Sequence, residues 1–310
     1  MKFLIIRFSE IGEIVMTTPL VRCLRKQFPN VEIHYLVKDN CRSAIEFNPN
    51  IDILHVLAHS VELMLEELKN EGYDHIIDLQ NDNVSQLVCK TLGVKTMRIS
   101  ANTFKSNFLK SFLRFKTPHF VETCFKAASP LKLQSDGGGL DYYITAHEET
   151  KRNDIPASHY AGYIVCGIGS AVGARKWPIA KWKEFCEQLD HPMILVGTKD
   201  DVAAANEIAS VDDIKIYNAC GKFSINETAD LISKSKLLVT HENDLLHIAA
   251  AYKRLVISLW GDSASLAAKN PYYGRNFLTG HQELPFDTFF NKRIASIVVS
   301  DLLAAVKKRL

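Results

Sequence analysis

The stretch KLLVTHENDLLHIAAAYKRLVISLWG, residues 236–261, decides the fold class of this chain. It contains two short apolar runs, residues 237–239 and 255–260, on either side of a helical segment. Apolar runs that are this short and lack polar alternation are typical of strands buried on both faces of a parallel sheet. The stretch therefore predicts a strand, a turn, a helix and a second strand.

Three polar residues, Glu242, Asn243 and Asp244, fill the turn after the first of these strands. The right-handed crossover places them at the carboxyl end of a strand and at a helix N-terminus, where open α/β sheets bind ligands. The competing interpretation is an N-cap, because such side chains accept the unpaired N–H groups of a first helical turn. Capping accounts for one of the three residues, so both interpretations stay open for this turn.

The same alternation runs along the whole chain of 310 residues. Strands are predicted at 2–8, 31–37, 51–57, 75–79, 163–167, 193–196 and 214–217. Helices are predicted at 14–28, 61–74, 179–189, 200–209, 224–234 and 300–309. A polar segment without apolar period, residues 145–158, separates the two halves. The pattern predicts an α/β protein with two Rossmann-like domains, residues 1–150 and 151–310, whose parallel sheets face across a cleft.

Two turns of the first half carry specific expectations. Gly12 follows the first strand, and a glycine there suits a backbone that approaches a ligand closely or takes a positive φ. Pro19 falls inside the next predicted helix and should kink it. Asp78 ends a strand, where it could contact a ligand, and it is expected to cap the helix that follows.

Composition excludes several classes of protein. A hydrophobic content of 47% with 23% charged residues is ordinary for a globular protein, and the net charge of +2 argues against a nucleic-acid partner. The seven cysteines are scattered without a C-x-x-C pair, which indicates reduced thiols in a cytoplasm, and we expect no metal site. No window reaches the roughly 18 apolar residues of a spanning helix, and the N-terminus lacks the features of a signal peptide. We therefore expect a cytoplasmic protein that at most lies on a membrane surface.

A basic segment, residues 105–126, is the candidate for such a membrane contact. It carries six basic residues against the single acid Glu122, namely Lys105, Lys110, Arg114, Lys116, His119 and Lys126. Apolar and basic residues interleave within FLKSFLRFK, residues 108–116, as in a helix that faces an anionic surface. A solvated basic face is the alternative, and the sequence leaves both open.

The glycine-rich loop GIGSAVG, residues 167–173, follows the first strand of the second domain. Arg175 and Lys176 come next, at the start of a helix. Backbone N–H groups around Gly169, the Ser170 hydroxyl and two cations are what a diphosphate needs, although a flexible surface loop would share the glycines. Neither G-x-G-x-x-G after a first strand nor a P-loop is present, so a dehydrogenase and a P-loop kinase are poorly supported.

Four stretches together resemble the family 9 glycosyltransferases, the ADP-heptose:lipopolysaccharide heptosyltransferases and their relatives. They are KFLIIRFSEIGEIVMTTPLVRCLRKQFPNVEIHYLV, RKWP, VGTKDD and THENDLLHIAAAYKRLVISLWG, in the order of the family. The resemblance covers essentially the whole chain and implies a GT-B architecture with metal-independent inversion at the anomeric carbon. It further implies that the N-terminal domain binds a glycolipid or lipopolysaccharide acceptor. The C-terminal domain would bind an ADP-linked sugar, with no cofactor.

The resemblance also implies roles for single residues. Glu13 falls where the family has the aspartate proposed as general base, and Arg175 falls on its phosphate-binding lysine, with Ser170 in the phosphate loop. Asp201 falls near the acid that contacts the adenosine ribose, and Glu242 where the family has an aspartate close to the donor sugar. A carboxylate on one domain facing cations on the other would deprotonate the acceptor and stabilise the leaving diphosphate.

Two departures from the family pattern leave a second hypothesis open. Glutamates stand at Glu13 and Glu242 in place of aspartates, and Asn243 and Asp244 replace the pair of a small residue and a glycine that follows the second aspartate in the family. The extra methylene of glutamate moves each carboxylate by about an ångström, which can lose about a hundredfold in rate. The chain could instead be a weakened or non-catalytic paralogue that binds a nucleotide sugar or a glycolipid. An epimerase of the same architecture is less favoured, because no second acid–base set stands out.

Overall fold

A computed structural model describes residues 1–8, 10–58, 61–100, 118–169, 176–261, 263–279 and 283–310. Contacts divide the chain into two compact units. Unit 1 comprises Met1–Tyr143 and Ala267–Asn270, and unit 2 comprises Ile144–Leu266 and Pro271–Leu310. The acceptor-binding and donor-binding roles expected for two domains stay predictions.

Unit 1 is built on a five-stranded parallel sheet in the order β3-β2-β1-β4-β5. Its strands are β1 Lys2–Ile6, β2 Glu32–Lys38, β3 Ile53–Leu57, β4 His75–Asp78 and β5 Lys95–Arg98. Its helices are α1 Ile11–Val15, α2 Thr18–Gln27, α3 Val61–Asn70, α4 Asn83–Leu92 and α5 Phe120–Ala127. The central strand β1 is buried from Phe3 to Ile6, as its uninterrupted apolar run predicts.

Unit 2 is built on a six-stranded parallel sheet in the order β11-β10-β9-β6-β7-β8. Its strands are β6 Ile164–Gly167, β7 Met193–Val196, β8 Ile216–Asn218, β9 Leu237–His241, β10 Leu255–Trp260 and β11 Phe286–Phe290. The remaining helices are α6 Ile179–Gln188, α7 Val202–Ala209, α8 Ile225–Lys234, α9 Leu245–Ala251, α10 Ser263–Lys269, α11 Arg275–Leu278 and α12 Val299–Arg309. The predicted strand–turn–helix–strand unit is thus β9, α9 and β10.

Three local expectations need correction. The helix predicted from residue 14 is two helices, and Pro19 lies in the first turn of α2, where its missing N–H leaves no bond unmade. Gly12 lies inside α1, and the positive φ of 64° belongs to Glu10. Asp78 does not cap α4, because the cap is Asp82, whose side chain accepts the Ser85 N–H.

Asp78 nevertheless organises the turn it stands in. It is fully buried and accepts hydrogen bonds from Gln80 N, Asn81 N, Ser85 Oγ and Arg98 Nε. A buried carboxylate with this many donors is satisfied within the protein. We therefore assign Asp78 a structural role in unit 1.

The cysteines and the lengths of the helices bear on two further predictions. All seven cysteines lie in the described part of the chain, where they are buried and not joined in disulfides. Within the described residues, no helix is long and apolar enough to cross a bilayer.

Of the basic segment, residues 105–117 lie outside the described residues. His119 is buried and pairs through Nε2 with Asn270 O at 2.9 Å, so it does not belong to an exposed basic face.

Candidate functional site

A cavity of about 830 Å³ opens in unit 2 at the carboxyl ends of its strands. It is lined by Gly169, Lys176, Val196, Gly197, Thr198, Lys199, Asp200, Asp201, Gly221, Phe223, Ile225, Thr228, Asn243, Asp244 and Leu245. This volume falls within the range of about 300–1,000 Å³ that small-molecule sites occupy. The lining combines glycine backbone, threonine hydroxyls and charged side chains with the apolar side chains of Phe223, Ile225 and Leu245. It therefore suits a polar ligand that has an apolar part.

The sheet order explains why the cavity lies there. β6 pairs with β7 on one side and with β9 on the other, so Gly167 stands beside both Val196 and Thr240. The connections after β6 and after β9 leave toward opposite edges of the sheet, which opens a crevice at this switch point. The loop after β6 and the turn after β9 therefore meet there, as the sequence predicts.

Asp201 and Lys176 form the central charged pair of the cavity. Lys176 Nζ lies 2.6 Å from Asp201 Oδ1, and Thr198 donates to Oδ2 through its N–H and its hydroxyl, each at 2.9 Å. Burial alone would raise the pKa of Asp201, but Lys176 and Thr198 outweigh it, so this pKa is below its ordinary value. Asp201 is 4% exposed, while the Lys176 side chain is 39% exposed. The carboxylate is therefore a fixed anchor that holds a solvent-accessible cation at the cavity wall.

Two glycines allow the backbone to approach Asp201. A Cβ on Gly169 would lie 2.6 Å from Asp201 Oδ2, and one on Gly197 would lie 2.9 Å from the same oxygen. Real Cβ atoms do not come this close, so any side chain would displace the carboxylate. The absence of a side chain at Gly169 thus leaves room for the Asp201 carboxylate, and the predicted contact of Gly169 with a diphosphate stays a prediction.

Asn243 ties the turn after β9 to the loop after β6. Its Nδ2 donates to Thr240 Oγ1 at 2.8 Å and to Gly169 O at 3.2 Å, while its Oδ1 accepts Leu245 N–H at 3.2 Å. Asn243 therefore accepts the first N–H of α9 and connects the two loops, and its predicted role in ligand binding stays a prediction. Asp244 also lines the cavity. Glu242 is described by the structure but is not one of the residues that line this cavity.

A buried histidine fixes the start of the segment that carries Lys176. His241 Nε2 accepts the Trp177 N–H at 2.8 Å, and its ring lies edge-on against Trp182 with 5.6 Å between the centroids. Burial lowers the pKa of His241 to about 4, so the imidazole is neutral at physiological pH and can accept this bond. The residue was not among the sequence-based candidates, although it directly precedes Glu242.

Glu13 lies in unit 1, just after the carboxyl end of β1, and is 6% exposed. Its Oε2 forms an ion pair with Arg7, which is itself buried and donates to Leu79 O at 2.8 Å. Its Oε1 lies 2.6 Å from Lys269 Nζ, and the same ammonium lies 3.1 Å from Glu10 Oε2. Glu13 is thus a buried carboxylate held between two cations.

The backbone beside this group is strained. Glu10 has φ 64° and ψ 106° without being a glycine or an asparagine. Such a conformation costs about 1–3 kcal/mol and persists where surrounding contacts impose it. Here the Glu10 carboxylate contacts Lys269, which also pairs with Glu13. The strained turn and the Glu13 ion pairs are therefore linked through Lys269.

The structure thus gathers part of the predicted site. The cavity of unit 2 brings together Gly169, Lys176, Asp201, Asn243 and Asp244, while Ser170 and Arg175 lie outside the described residues. Sequence reasoning missed the contacts of Gly197 and Thr198 with Asp201, for which the VGTKDD motif was the available signal. It also missed the ion pairs of Glu13 with Arg7 and Lys269. No local pattern could reveal Lys269, because it stands 259 residues from its partner Glu10.

Comparisons with known proteins agree with this architecture. The sequence profile of glycosyltransferase family 9 (heptosyltransferase) matches residues 62–283. Lipopolysaccharide heptosyltransferase 1 from Campylobacter coli is 23% identical over 292 residues, which cover 86% of this chain and 85% of that protein. The profile match begins after the opening strands, whereas solved structures align over nearly the whole chain.

Two of these solved structures define the fold. A family 9 glycosyl transferase from Veillonella parvula DSM 2008 aligns with a TM-score of 0.81 at 17% identity, covering 99% of this chain and 96% of the other. The E. coli heptosyltransferase WaaC with ADP-2-deoxy-2-fluoro heptose aligns with a TM-score of 0.73 at 17% identity, covering 100% of both chains. The predicted GT-B fold class, with two parallel-sheet α/β domains, is confirmed.

Proposed function

Because this chain belongs to glycosyltransferase family 9, we propose that it transfers heptose from ADP-heptose to a lipopolysaccharide core or a similar glycolipid. The transfer would invert the anomeric carbon and need no metal ion. The observation that carries the proposal is the cavity of unit 2, with Lys176 held on its wall by Asp201. The donor is assigned by analogy with the E. coli relative that was solved with an ADP-linked heptose analogue.

The cavity suits the nucleotide part of such a donor. Its volume of about 830 Å³ accommodates a nucleoside diphosphate, and Phe223 and Ile225 supply apolar surface for a base. Thr228 and Asp244 supply polar groups for hydroxyls of the ligand. Lys176 supplies the positive charge that a diphosphate requires, and the predicted Arg175 would add a second cation. Asp201 then orients Lys176 and does not itself need to meet the phosphates.

In the proposed reaction, an acceptor hydroxyl oxygen attacks the anomeric carbon of heptose. The bond from that carbon to the diphosphate oxygen breaks, and ADP leaves with the electron pair. The hydroxyl proton passes to Glu13, and the single displacement inverts the configuration. Lys176 and Arg175 stabilise the charge that develops on the leaving diphosphate.

Glu13 must exchange a partner before it can accept that proton. Both of its carboxylate oxygens are engaged by cations, Arg7 at one and Lys269 at the other. Arg7 is also bonded to Leu79 O and is 8% exposed in its side chain, against 19% for Lys269. We infer that Lys269 gives way to the acceptor, while Arg7 keeps the carboxylate in place.

The same geometry supports a second candidate, a paralogue that binds donor or acceptor without transfer. A carboxylate that stays between Arg7 and Lys269 cannot act as a base. The two candidates differ in turnover and agree in ADP binding. Nucleotide binding without sugar transfer to any lipopolysaccharide-like acceptor would favour the paralogue.

A contact with the inner face of the cytoplasmic membrane belongs to the same proposal. A glycolipid acceptor is anchored in a bilayer, and the basic residues of 105–126 other than the buried His119 would attract its phosphates and anionic lipids. Co-sedimentation with vesicles that contain anionic lipid checks this part. Binding should weaken as salt rises, and equal binding to neutral vesicles would contradict it.

The full chain, ADP-heptose and a heptose-deficient lipopolysaccharide acceptor test the main proposal. We expect ADP release that depends on both substrates and does not increase on addition of Mg²⁺. A thermal-shift panel of ADP-, UDP-, GDP- and CMP-sugars should show the largest rise in melting temperature for the ADP-sugar. A preference for another nucleotide would overturn the donor assignment, and the absence of transfer with intact ADP binding would overturn catalysis.

A further inference from the structure

Four buried or half-buried side chains form a cluster at the amino end of the unit 1 sheet. His34 lies in β2 and His55 in β3, while Glu71 and Tyr73 lie in the turn between α3 and β4. We call these four residues the histidine cluster. Glu13 follows the opposite, carboxyl end of β1, so the cluster is separate from the site proposed above.

Nitrogen and oxygen atoms of the histidine cluster converge on one point. His34 Nδ1 lies 3.1 Å from His55 Nε2 and 2.9 Å from the Tyr73 hydroxyl, which itself lies 3.0 Å from His55 Nε2. Glu71 Oε2 lies 3.8 Å from His34 Nδ1. One ligand atom from each of His34, His55 and Glu71 falls within 4.8 Å of the other two. Two imidazole nitrogens and a carboxylate oxygen at such spacing form the donor set that zinc prefers.

A further carboxylate fixes the orientation of His34. Its Nε2 lies 2.9 Å from Glu32 Oε1, and the neutral tautomer that donates an Nε2–H to this carboxylate presents the Nδ1 lone pair to the cluster. On His55, Nδ1 lies 4.0 Å from Glu67 Oε1, which can take the N–H once Nε2 is used as a ligand. Carboxylates behind metal-bound histidines set their tautomer in this way.

The charge around the cluster also favours a cation. Glu32, Glu67 and Glu71 stand against one ammonium, Lys2, whose Nζ lies 2.9 Å from Glu71 Oε2 and 3.1 Å from Glu32 Oε1. His34 and His55 are 0% and 5% exposed, so they add donor atoms without requiring charge. Lys2 therefore occupies the carboxylate that a metal ion would use.

We propose that His34 Nδ1, His55 Nε2 and the Glu71 carboxylate form a zinc site that joins β2, β3 and the turn before β4. Zinc–nitrogen bonds of about 2.0–2.1 Å place tetrahedral ligands about 3.3 Å apart. The two histidine nitrogens, at 3.1 Å, must separate by only a few tenths of an ångström. Glu71 must turn from Lys2 toward the ion. The site would stabilise the sheet, and it takes no part in sugar transfer.

The test uses the full chain, freed of metal with a chelator and titrated with Zn²⁺. We expect one ion per chain and a rise in melting temperature, because zinc would bind the folded form. His55→Asn and Glu71→Gln should each weaken binding by about tenfold to a hundredfold or more. Glu71→Gln keeps the shape of a half-buried side chain, so it carries the test if His55→Asn does not fold. His147→Asn, which changes an exposed histidine outside the cluster, is the control and should bind Zn²⁺ as the wild type does.

A variant that gains Zn²⁺ affinity distinguishes a metal site from a loss of binding caused by misfolding. Lys2→Met keeps the apolar stem, removes the competing ammonium and frees Glu71, so it should bind Zn²⁺ more tightly, by about tenfold. Co²⁺ in the same site should show the strong visible absorption of a tetrahedral complex, and Glu71→Gln should alter that spectrum. Unchanged affinity in both Glu71→Gln and Lys2→Met, or no stoichiometric Zn²⁺ binding by the wild type, would overturn the proposal.

Discussion

Two buried carboxylates, Asp201 in unit 2 and Glu13 in unit 1, each hold a lysine at the same distance. Lys176 Nζ lies 2.6 Å from Asp201, and Lys269 Nζ lies 2.6 Å from Glu13. The difference lies in the second oxygen. In Asp201 it accepts two bonds from Thr198, three residues away, whereas in Glu13 it pairs with the buried Arg7.

This difference separates an anchor from a candidate base. Asp201 is satisfied by neutral donors of its own turn, so its one lysine remains directed at a large cavity. Glu13 is matched by two cations, and it can accept a proton only after one of them withdraws. The same pair of residue types therefore orients a ligand-binding cation in one unit and restrains a reactive group in the other.

The largest effect is expected at Glu13. Glu13→Gln removes the proposed base and should lower kcat by about 10²–10⁴-fold, while ADP binding stays unchanged. Glu10→Gln is the matched control, because Glu10 contacts the same Lys269 but is 61% exposed in its side chain, and it should retain turnover within a few-fold. Single-turnover sugar transfer and ADP titration make the measurement. Wild-type turnover in Glu13→Gln would remove Glu13 from its role.

Lys176→Ala should weaken ADP binding by about 10- to 100-fold, because it removes a charged hydrogen bond to the diphosphate. Lys269→Ala removes a lysine with the same 2.6 Å carboxylate contact in unit 1 and should leave the dissociation constant of ADP unchanged. Isothermal titration of both variants makes the comparison. Equal losses in the two variants would mean that the two lysines do not differ in function.

Asp201→Asn should lower the free energy of unfolding by about 1–2 kcal/mol at pH 7. The folded pKa of Asp201 is lowered from 3.8, so its contribution is present above pH 3.8 and is lost as the pH falls through the lowered value. The difference between variant and wild type should thus be constant from pH 8 to pH 5 and shrink in more acidic solution. Urea unfolding at several pH values measures it, with the exposed Asp200→Asn as a control. A deficit that grew with acidity would contradict the assignment.

The smallest effect is expected at Thr198. Thr198→Val removes the hydroxyl that donates to Asp201 Oδ2 and leaves the backbone bond to the same oxygen. Stability should fall by about 1 kcal/mol, and ADP affinity should change by less than about threefold. A loss of ADP binding as large as that of Lys176→Ala would show that the hydroxyl itself binds the nucleotide.

Sequence reasoning recovered what depends on local pattern. The apolar runs of β6, β7, β9 and β10 predicted buried parallel strands, and the turn at Asn243 was correctly placed at their carboxyl ends. The edge strand β11 was missed, because its residues are partly exposed and show no uninterrupted buried run. The sequence predicted one helix with a kink at Pro19, whereas the helix breaks between α1 and α2, and Pro19 lies in the first turn of α2. A proline is compatible with a first turn as well as with a kink, so its presence alone does not distinguish the two.

Contacts between distant segments could not be predicted. Lys269 reaches Glu13 from the far end of the chain, and the sequence gives no reason to join them. His34 and His55 lie 21 residues apart in two strands, each of which looks like an ordinary buried strand. The expectation of no metal site rested on cysteine spacing and on the donor site, so it did not consider this pair.

The central claim is that the cavity of unit 2 binds the nucleotide of the donor. Hydrogen exchange of the backbone amides, measured with and without saturating ADP, tests it most directly. We predict slower exchange in peptides that contain residues 196–201 and 243–245, with little change in residues 32–38 of β2. ADP binding that leaves 196–201 and 243–245 unprotected and slows exchange elsewhere would contradict the account.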